Sequence, residues 1–235
     1  MDAEADKNKP YLLEVIACSV EDAVNAEKGG ADRLEVISDL ESGGYTPTLD
    51  LVREIQSAVQ LPLIVMLREE EGYGLNEITA VERSCCIADA LNKMQIQGVV
   101  LGFLRAGGID VELTRKILAC APDLEATFHH AFEDVPDKTV AIERLKSLKQ
   151  IVRVLSHGGI GTRAERAARL GEYAEAAMPE IRILAGGGID LNMIEMLRRT
   201  TRIREFHVGR AARFEGKVDA ELVAALARGV RGLHA

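Results

Sequence analysis

The sequence predicts an α/β protein built as a single-domain (β/α)8 TIM barrel. Three observations lead there. Short aliphatic or β-branched runs alternate with longer helical patterns, eight times in succession. The chain has 235 residues, close to the usual length of one such barrel. No second domain, low-complexity segment or Pro/Ser-rich linker interrupts the series. Residues 11–235 are therefore assigned to the barrel, and residues 1–10, polar and ending at Pro10, to a flexible N-terminal tail. A doubly wound open sheet is the fallback, since alternation alone does not establish closure.

The strand candidates are Leu12–Ala17, Arg33–Ile37, Leu63–Leu67, Gly98–Gly102, Glu125–Phe128, Val152–Leu155, Arg182–Ala185 and Arg204–Val208. Between them lie helix signals. Ser19 is a candidate N-cap with Asp22 three residues on, and Thr46 before Pro47 is a candidate cap with proline at the first helical position. Leu49, Val52, Ile55 and Val59 follow on one helical face. Asn76 is expected to open a long helix whose stripe is Ile78, Val81, Cys85, Ala88 and Leu91. Asp137, Asp190 and Asp219 read as further N-caps, the last before Leu222, Val223, Leu226 and Val230. Gly29-Gly30-Ala31-Asp32 ends one helix and feeds directly into a strand.

Composition excludes several function classes. The chain is 47% hydrophobic and 28% charged, with no run near the roughly 18 apolar residues of a membrane span. The formal net charge is −8 without a long basic run, which makes nucleic acid and anionic membranes poor partners. Cys18, Cys85, Cys86 and Cys120 show no C-x-x-C spacing, and the polar N-terminus has no secretory h-region. Reduced cysteines and a cytoplasmic location are the expectation. Exposed helix faces leave a homodimer or higher homo-oligomer open.

Strand alternation then picks out the barrel interior, because the helix-facing side must be apolar. With Leu13 and Val15 facing out, Glu14 faces in. Leu34 and Val36 likewise send Glu35 inward. On strand 3, Met66 and Arg68 point in; on strand 5, Thr127 and His129; on strand 8, Glu205 and His207. Barrel closure would bring strand 8 beside strand 1. His207, Glu14, Glu35 and Arg68 then form an arc on successive strands, with His129 opposite. Ionisable groups in a barrel interior are costly unless paired or functional. Two readings follow: a salt-bridge network in which Arg68 neutralises one glutamate, or a site at the strand C-termini. In the second, Glu14 or Glu35 is the base, His129 or His207 the acid, and Arg68 an anion clamp. His129-His130 could share a metal only if the strand has already ended, and His157 could then add a ligand. With His234 near the terminus, the histidine spacing does not define a zinc site.

Two glycine-rich loops suggest an anion site. Gly186-Gly187-Gly188 follows strand 7 and Gly209-Arg210 follows strand 8, where many barrels bind phosphate. Three consecutive glycines exceed what a tight turn requires, so a small anionic ligand is expected here, with Arg210 or Arg213 adding charge. No lysine lies on a proposed strand, which argues against a Schiff-base aldolase.

The sequence resembles the copper homeostasis protein CutC family of (β/α)8 barrels. The carriers are Leu13-Glu14-Val15, Gly29-Gly30-Ala31-Asp32-Arg33-Leu34-Glu35, Gly43-Gly44-Tyr45-Thr46-Pro47-Thr48 and Val65-Met66-Leu67-Arg68. Gly98-Val99-Val100-Leu101-Gly102, Thr127-Phe128-His129-His130-Ala131-Phe132-Glu133, Gly186-Gly187-Gly188 and Glu205-Phe206-His207 complete them. The resemblance implies a role in copper homeostasis, with a copper ion as ligand. The chain departs from the family pattern where Ile16 and Ile37 stand in place of cysteines that members commonly carry. Cys18 stands in place of an aspartate. Cu(I) prefers thiolate or thioether ligands, so those departures bear on copper directly. Glu69-Glu70-Glu71 replaces an arginine-rich stretch, and His130 and Glu133 replace an arginine and an aspartate. The sequence is compatible with three functions: a CutC-type copper protein, a lyase- or isomerase-type enzyme acting on a small phosphorylated metabolite, and a non-catalytic scaffold.

Overall fold

A computed structural model describes residues 10–75 and 77–233 of the chain. Eight parallel strands close into a barrel: β1 (Leu12–Ala17), β2 (Arg33–Val36), β3 (Leu63–Met66), β4 (Gly98–Leu101), β5 (Glu125–Phe128), β6 (Ile151–Ser156), β7 (Arg182–Ala185) and β8 (Glu205–Val208). Closure comes from β8 pairing with β1, which settles the open-sheet alternative. The helices are α1 (Val20–Lys28), α2 (Leu49–Ala58), α3 (Ile78–Lys93), α4 (Val111–Leu118), α5 (Lys138–Lys146), α6 (Arg163–Ala177), α7 (Leu191–Thr200) and α8 (Ala220–Arg231). Two short hairpins, Leu104–Arg105 with Gly108–Ile109 and Arg213–Phe214 with Lys217–Val218, extend the loops after β4 and β8.

The strand phase follows the hydrophobic pattern. Leu13, Val15, Leu34, Val36, Val65, Ala126, Phe128 and Phe206 are buried in one core between barrel and helices. A fully buried side chain of this size contributes about 1.5–3 kcal/mol. The opposite phase fills the barrel, where Ile16, Ile37, Ile64, Met66 and Val100 form a separate, smaller apolar cluster.

Several helix starts are as expected: Ser19, Asp137, Asp190 and Asp219 each accept a first-turn amide. Two details differ. Thr48, not Thr46, caps α2, accepting the Leu51 amide. Thr46 is instead bound to the backbone of Arg68 through both its amide and its hydroxyl. The loop there is held by a partner just past the end of β3 that a local cap reading does not see. At α3 the flanking cap is Glu77, without a side-chain bond, while the expected cap Asn76 lies outside the described residues. The first member of the α3 stripe, Ile78, is exposed, because the stripe meets the core only from Val81 onward. Likewise Leu222 is partly exposed while Val223, Leu226 and Val230 are buried. The tail over residues 1–9 and His234 also lie outside the described residues. Among the described residues, no helix is long and apolar enough to cross a membrane.

The fit of β4 against β5 is set by a missing side chain. A Cβ on Gly98 would stand 2.4 Å from the carbonyl oxygen of Glu125. Gly98→Ala should therefore destabilise the barrel by about 1–3 kcal/mol, because backbone cannot move aside as a side chain can. Urea unfolding monitored by circular dichroism measures the loss, and an unchanged midpoint would show that the two strands have slack.

Candidate active site

The barrel interior divides into an ionic lower layer and a mixed upper layer that opens to a pocket. In the lower layer the guanidinium of Arg33, the first residue of β2, donates to Glu14 and to Glu205. Arg153 donates to Glu205 at 2.7 Å and to Glu125 at 2.9 Å, and Arg182 reaches Glu205 at 2.8 Å. The expectation that Arg68 neutralises a glutamate is thus corrected: the counter-ion of Glu14 is Arg33. Arg33 has the same strand phase as Glu35, two residues earlier, so its inward direction was available from alternation. Strand 6 also holds Arg153, which points inward to Glu205 and Glu125.

Above this layer the register sets Glu14 opposite His207 and Ile16 opposite Glu35. His207 Nδ1 lies 2.8 Å from Glu14 Oε1, and its Nε2 lies 3.4 Å from Glu35 Oε2. All three residues are at most 5% exposed. Burial by itself would raise the Glu14 pKa, but Arg33 and His207 outweigh it and hold it down at about 2. Burial dominates at Glu35 and lifts it to about 7; His207 pulls it down, and the Glu14 charge adds to the lift. For His207 burial works downward, yet the Glu35 and Glu14 carboxylates prevail and raise it. Glu14 is therefore a fixed anion that orients His207, while Glu35 and His207 face one another with protons to exchange. Glu35 Oε1 is buried without a hydrogen-bond partner, a costly arrangement in a native interior.

That carboxyl lines a cavity of about 480 Å³ at the strand C-termini. Glu35, Arg68, His129, His130 and His207 all face it, as do Gly187, Gly188, Gly209 and Arg210. Of the expected residues, Glu14 and Gly186 do not line it. Glu14 lies beneath His207, and Gly186 packs where a Cβ would come within 2.5 Å of Leu155 Cδ1. Apolar walls come from Ile16, Ile37, Leu40, Met66, Leu155 and Ile189. Tyr73 also lines the cavity. It was not singled out in the sequence, and its loop position gave no periodicity to point to it.

β5 ends at Phe128, so His129 and His130 escape strand alternation and both reach the cavity. His129 Nδ1 accepts the Ala131 amide at 3.1 Å, which leaves the proton on Nε2. Burial, with His130 and Arg68 nearby, pushes its pKa down to about 3. His129 is thus a neutral hydrogen-bond donor at neutral pH, unsuited to the acid role that an imidazolium would fill. His157 packs against Gly187 and directs Nδ1 toward the Gly159 carbonyl at 3.2 Å, outside the cavity lining. Arg68 also sits outside the ionic arc, at the rim, between the rings of Tyr45 and Tyr73.

Two glycines of the triplet have a packing explanation. Gly187 has φ +66°, and a Cβ there would approach His157 Cβ to 2.6 Å. Gly186 is tight against Leu155, while Gly188, with φ +75°, meets no crowding neighbour and lines the cavity with Gly187. Asp190 caps α7 and pairs with Arg163 at 2.6 Å, so the helix N-terminus beside this loop already carries a carboxylate.

Among the described residues, the groups close enough to hold one metal ion are Glu14, Glu35 and His207, with ligand atoms within 4.8 Å of one another. This set does not fit Cu(I). It offers two hard carboxylates and no sulfur, and Arg33 already occupies Glu14. Ile16 and Ile37 wall the cavity where thiolates would be needed. Cys18 is not in the lining, its sulfur lies 3.8 Å from Arg213, and burial raises its pKa.

Comparison with known proteins places this architecture. The profile of the CutC family matches residues 11–212. The chain is 35% identical over 201 residues to the copper homeostasis protein cutC homolog of Homo sapiens, covering 84% of this chain and 72% of that protein. It is 34% identical to a CutC family protein of Caulobacter vibrioides, covering 83% of this chain and 80% of that one. In three dimensions it matches the CutC protein from Streptococcus agalactiae with a TM-score of 0.77 at 24% identity, over 85% of this chain and 98% of the other. Phosphoribosylanthranilate isomerase from Thermotoga maritima shares the fold alone, with a TM-score of 0.64 at 16% identity over 95% of this chain and all of that one (100%).

The floor of the cavity should make stability depend on pH in a defined direction. Glu35 and His207 both bind protons more tightly folded than unfolded, so their contribution is present at low pH and lost as pH rises. For Glu35 the loss spans pH 4.5 to about 7. Glu14 acts oppositely, with a contribution present above 4.5 and lost as pH falls toward about 2. Urea midpoints measured across the upper window should decline in the wild type and flatten in Glu35→Gln. Equal declines in both would show that Glu35 is not the titrating group.

Proposed function

The chain belongs to the CutC family, and from that premise we propose that it is an acid–base catalyst acting on a small anionic metabolite at the C-terminal face of its barrel. The carrying observation is the Glu14–His207–Glu35 series, which ends in a residue that lines the cavity and has a buried, unpartnered carboxyl oxygen. A pKa near neutrality suits a group that must both take and return a proton. In this reading Glu35 is the base, His207 the acid that returns the proton, and Glu14 the group that holds His207 in one tautomer. The Nε2 proton of neutral His129 is available to a developing oxyanion, and the two cationic side chains at the rim, Arg68 and Arg210, favour an anionic substrate. Proton abstraction next to a carbonyl, the first step of many lyase and isomerase reactions, requires these parts and no more.

The relatives are named for copper homeostasis, and this chain shares their family. Its cavity holds no thiolate and a single thioether, Met66, beside a converging set of two carboxylates and one imidazole, a donor set poorly matched to Cu(I). A pure scaffold is disfavoured for another reason. Burying an unpartnered carboxyl oxygen costs about 1–3 kcal/mol or more, and packing alone does not require it.

Exchange of substrate C–H protons with deuterated water, followed by proton NMR over a panel of small oxo- and hydroxy-carboxylates, tests the proposal. Wild-type protein should catalyse exchange on at least one member. Glu35→Gln should reduce the rate by about a hundredfold or more. Retained exchange in both Glu35→Gln and His207→Gln would overturn the assignment.

A further inference from the structure

We propose that the ligand of this cavity is a small carboxylate with an apolar body, its carboxylate bound by Arg68 and its body lying on the isoleucine and methionine wall. The inference rests on the acid–base reading for the position of the reacting end, but Arg68 carries it independently.

Arg68 is unusually well fixed for a cation without a counter-ion. The Arg68 amide donates to Thr46 Oγ1 at 2.9 Å, and Thr46 Oγ1 donates to the Arg68 carbonyl at 3.0 Å. The guanidinium carbon stands 4.8 Å from the Tyr45 ring centroid and 5.5 Å from that of Tyr73. Two aromatic faces thus hold the plane of the group. Its remaining contacts are weak: Nη1 meets the carbonyls of Ser42 and Gly44 at 3.4 Å each, and Nε is buried with no partner. Among the described residues, no carboxylate forms an ion pair with it. The acids that follow it, Glu69 and Glu70, pair with Arg83 instead. A planar fork held between two rings with donors unfilled matches a planar anion, since a guanidinium and a carboxylate can form two parallel hydrogen bonds.

The rest of the cavity decides what the carboxylate is attached to. Ile16, Ile37 and Met66 belong to the apolar cluster inside the barrel, and Leu40 packs against it. They form one wall of the cavity that Arg68 and Glu35 share. A polar or sugar-like body would leave its hydroxyls unpaired there. Phosphate fits less well, because the Asp190 carboxylate stands in the same cavity lining beside the loop after β7 and would repel a dianion. The Asp190 carboxylate occupies the start of α7, and Arg166 binds the carbonyls of His157 and Gly187. Arg210 lines the mouth but is exposed, so solvent screens its charge.

Isothermal titration calorimetry with isocaproate, its uncharged amide and inorganic phosphate provides the test. Wild-type protein should bind isocaproate about tenfold or more tightly than the amide, and more tightly than phosphate. Arg68→Met should abolish the preference for the carboxylate. Arg68→Lys, which keeps the charge and loses the fork, should retain only part of it, and a wild-type melting curve for either variant establishes that it is folded. Glu35→Gln should keep the preference, which separates this inference from the catalytic one. If Glu35→Gln left exchange intact while Arg68 still governed binding, only the catalytic reading would fall. Equal affinity for acid and amide, tighter binding of phosphate, an unaltered preference in folded Arg68→Met, or no saturable isocaproate binding would each overturn the carboxylate assignment.

Discussion

The ion pair between Arg33 and Glu14 governs the chemistry of the barrel interior. Arg33 lies at the start of β2, 2% exposed, with its guanidinium shared between Glu14 and Glu205. It keeps Glu14 ionised in a place where burial would otherwise protonate it. An ionised Glu14 can accept the Nδ1 proton of His207, and that bond sends Nε2 toward Glu35. Without the cation beneath, burying two carboxylates beside an imidazole would leave the group short of positive charge. Removing one partner of such a buried pair typically costs about 3–5 kcal/mol. The lower ionic layer is thus a foundation, and the upper residues inherit their protonation states from it.

The same layering explains how a generic fold acquires a specific site. Parallel strands with outward Leu, Val and Phe residues create a barrel whose interior is insulated from solvent by its helices. Side chains pointing inward then meet a medium in which their charges interact strongly. Near the strand N-termini these charges are paired off. Near the C-termini an apolar cluster separates Glu35 from the rim, where Arg68 lies between two tyrosines. A ligand that spans this distance would meet a cation at one end, hydrocarbon along its length and a titratable pair at the other.

Much of this was legible in the sequence, and the part that was not has physical causes. The eight strands and the inward phase of Glu14, Glu35 and His207 follow from alternation, because outward positions must be apolar to pack on helices. Alternation fails once a strand ends. Arg68 lies two residues beyond Met66, and its direction is set by Tyr73 from its own loop and by Tyr45 and Thr46 from a loop more than twenty residues earlier. His129 and His130 share the cavity because β5 stops one residue earlier. Which cation pairs with which carboxylate is likewise a question of layer height within the barrel. Arg33 answers it through strand register, which alternation alone does not supply. The triple glycine pointed to an anion; in the fold Gly186 and Gly187 also make room for Leu155 and His157, a packing demand that the sequence alone does not display.

Glu14 orients His207 and raises its proton affinity, and a nitrogen-15 NMR titration of the His207 imidazole measures both directly. The expected result is a proton resident on Nδ1 through the neutral range. The titration midpoint should lie above the ordinary histidine value of 6.5 and fall in Glu14→Gln. A His207 that titrates at or below that value, or one indifferent to the loss of the Glu14 charge, would contradict that role of Glu14.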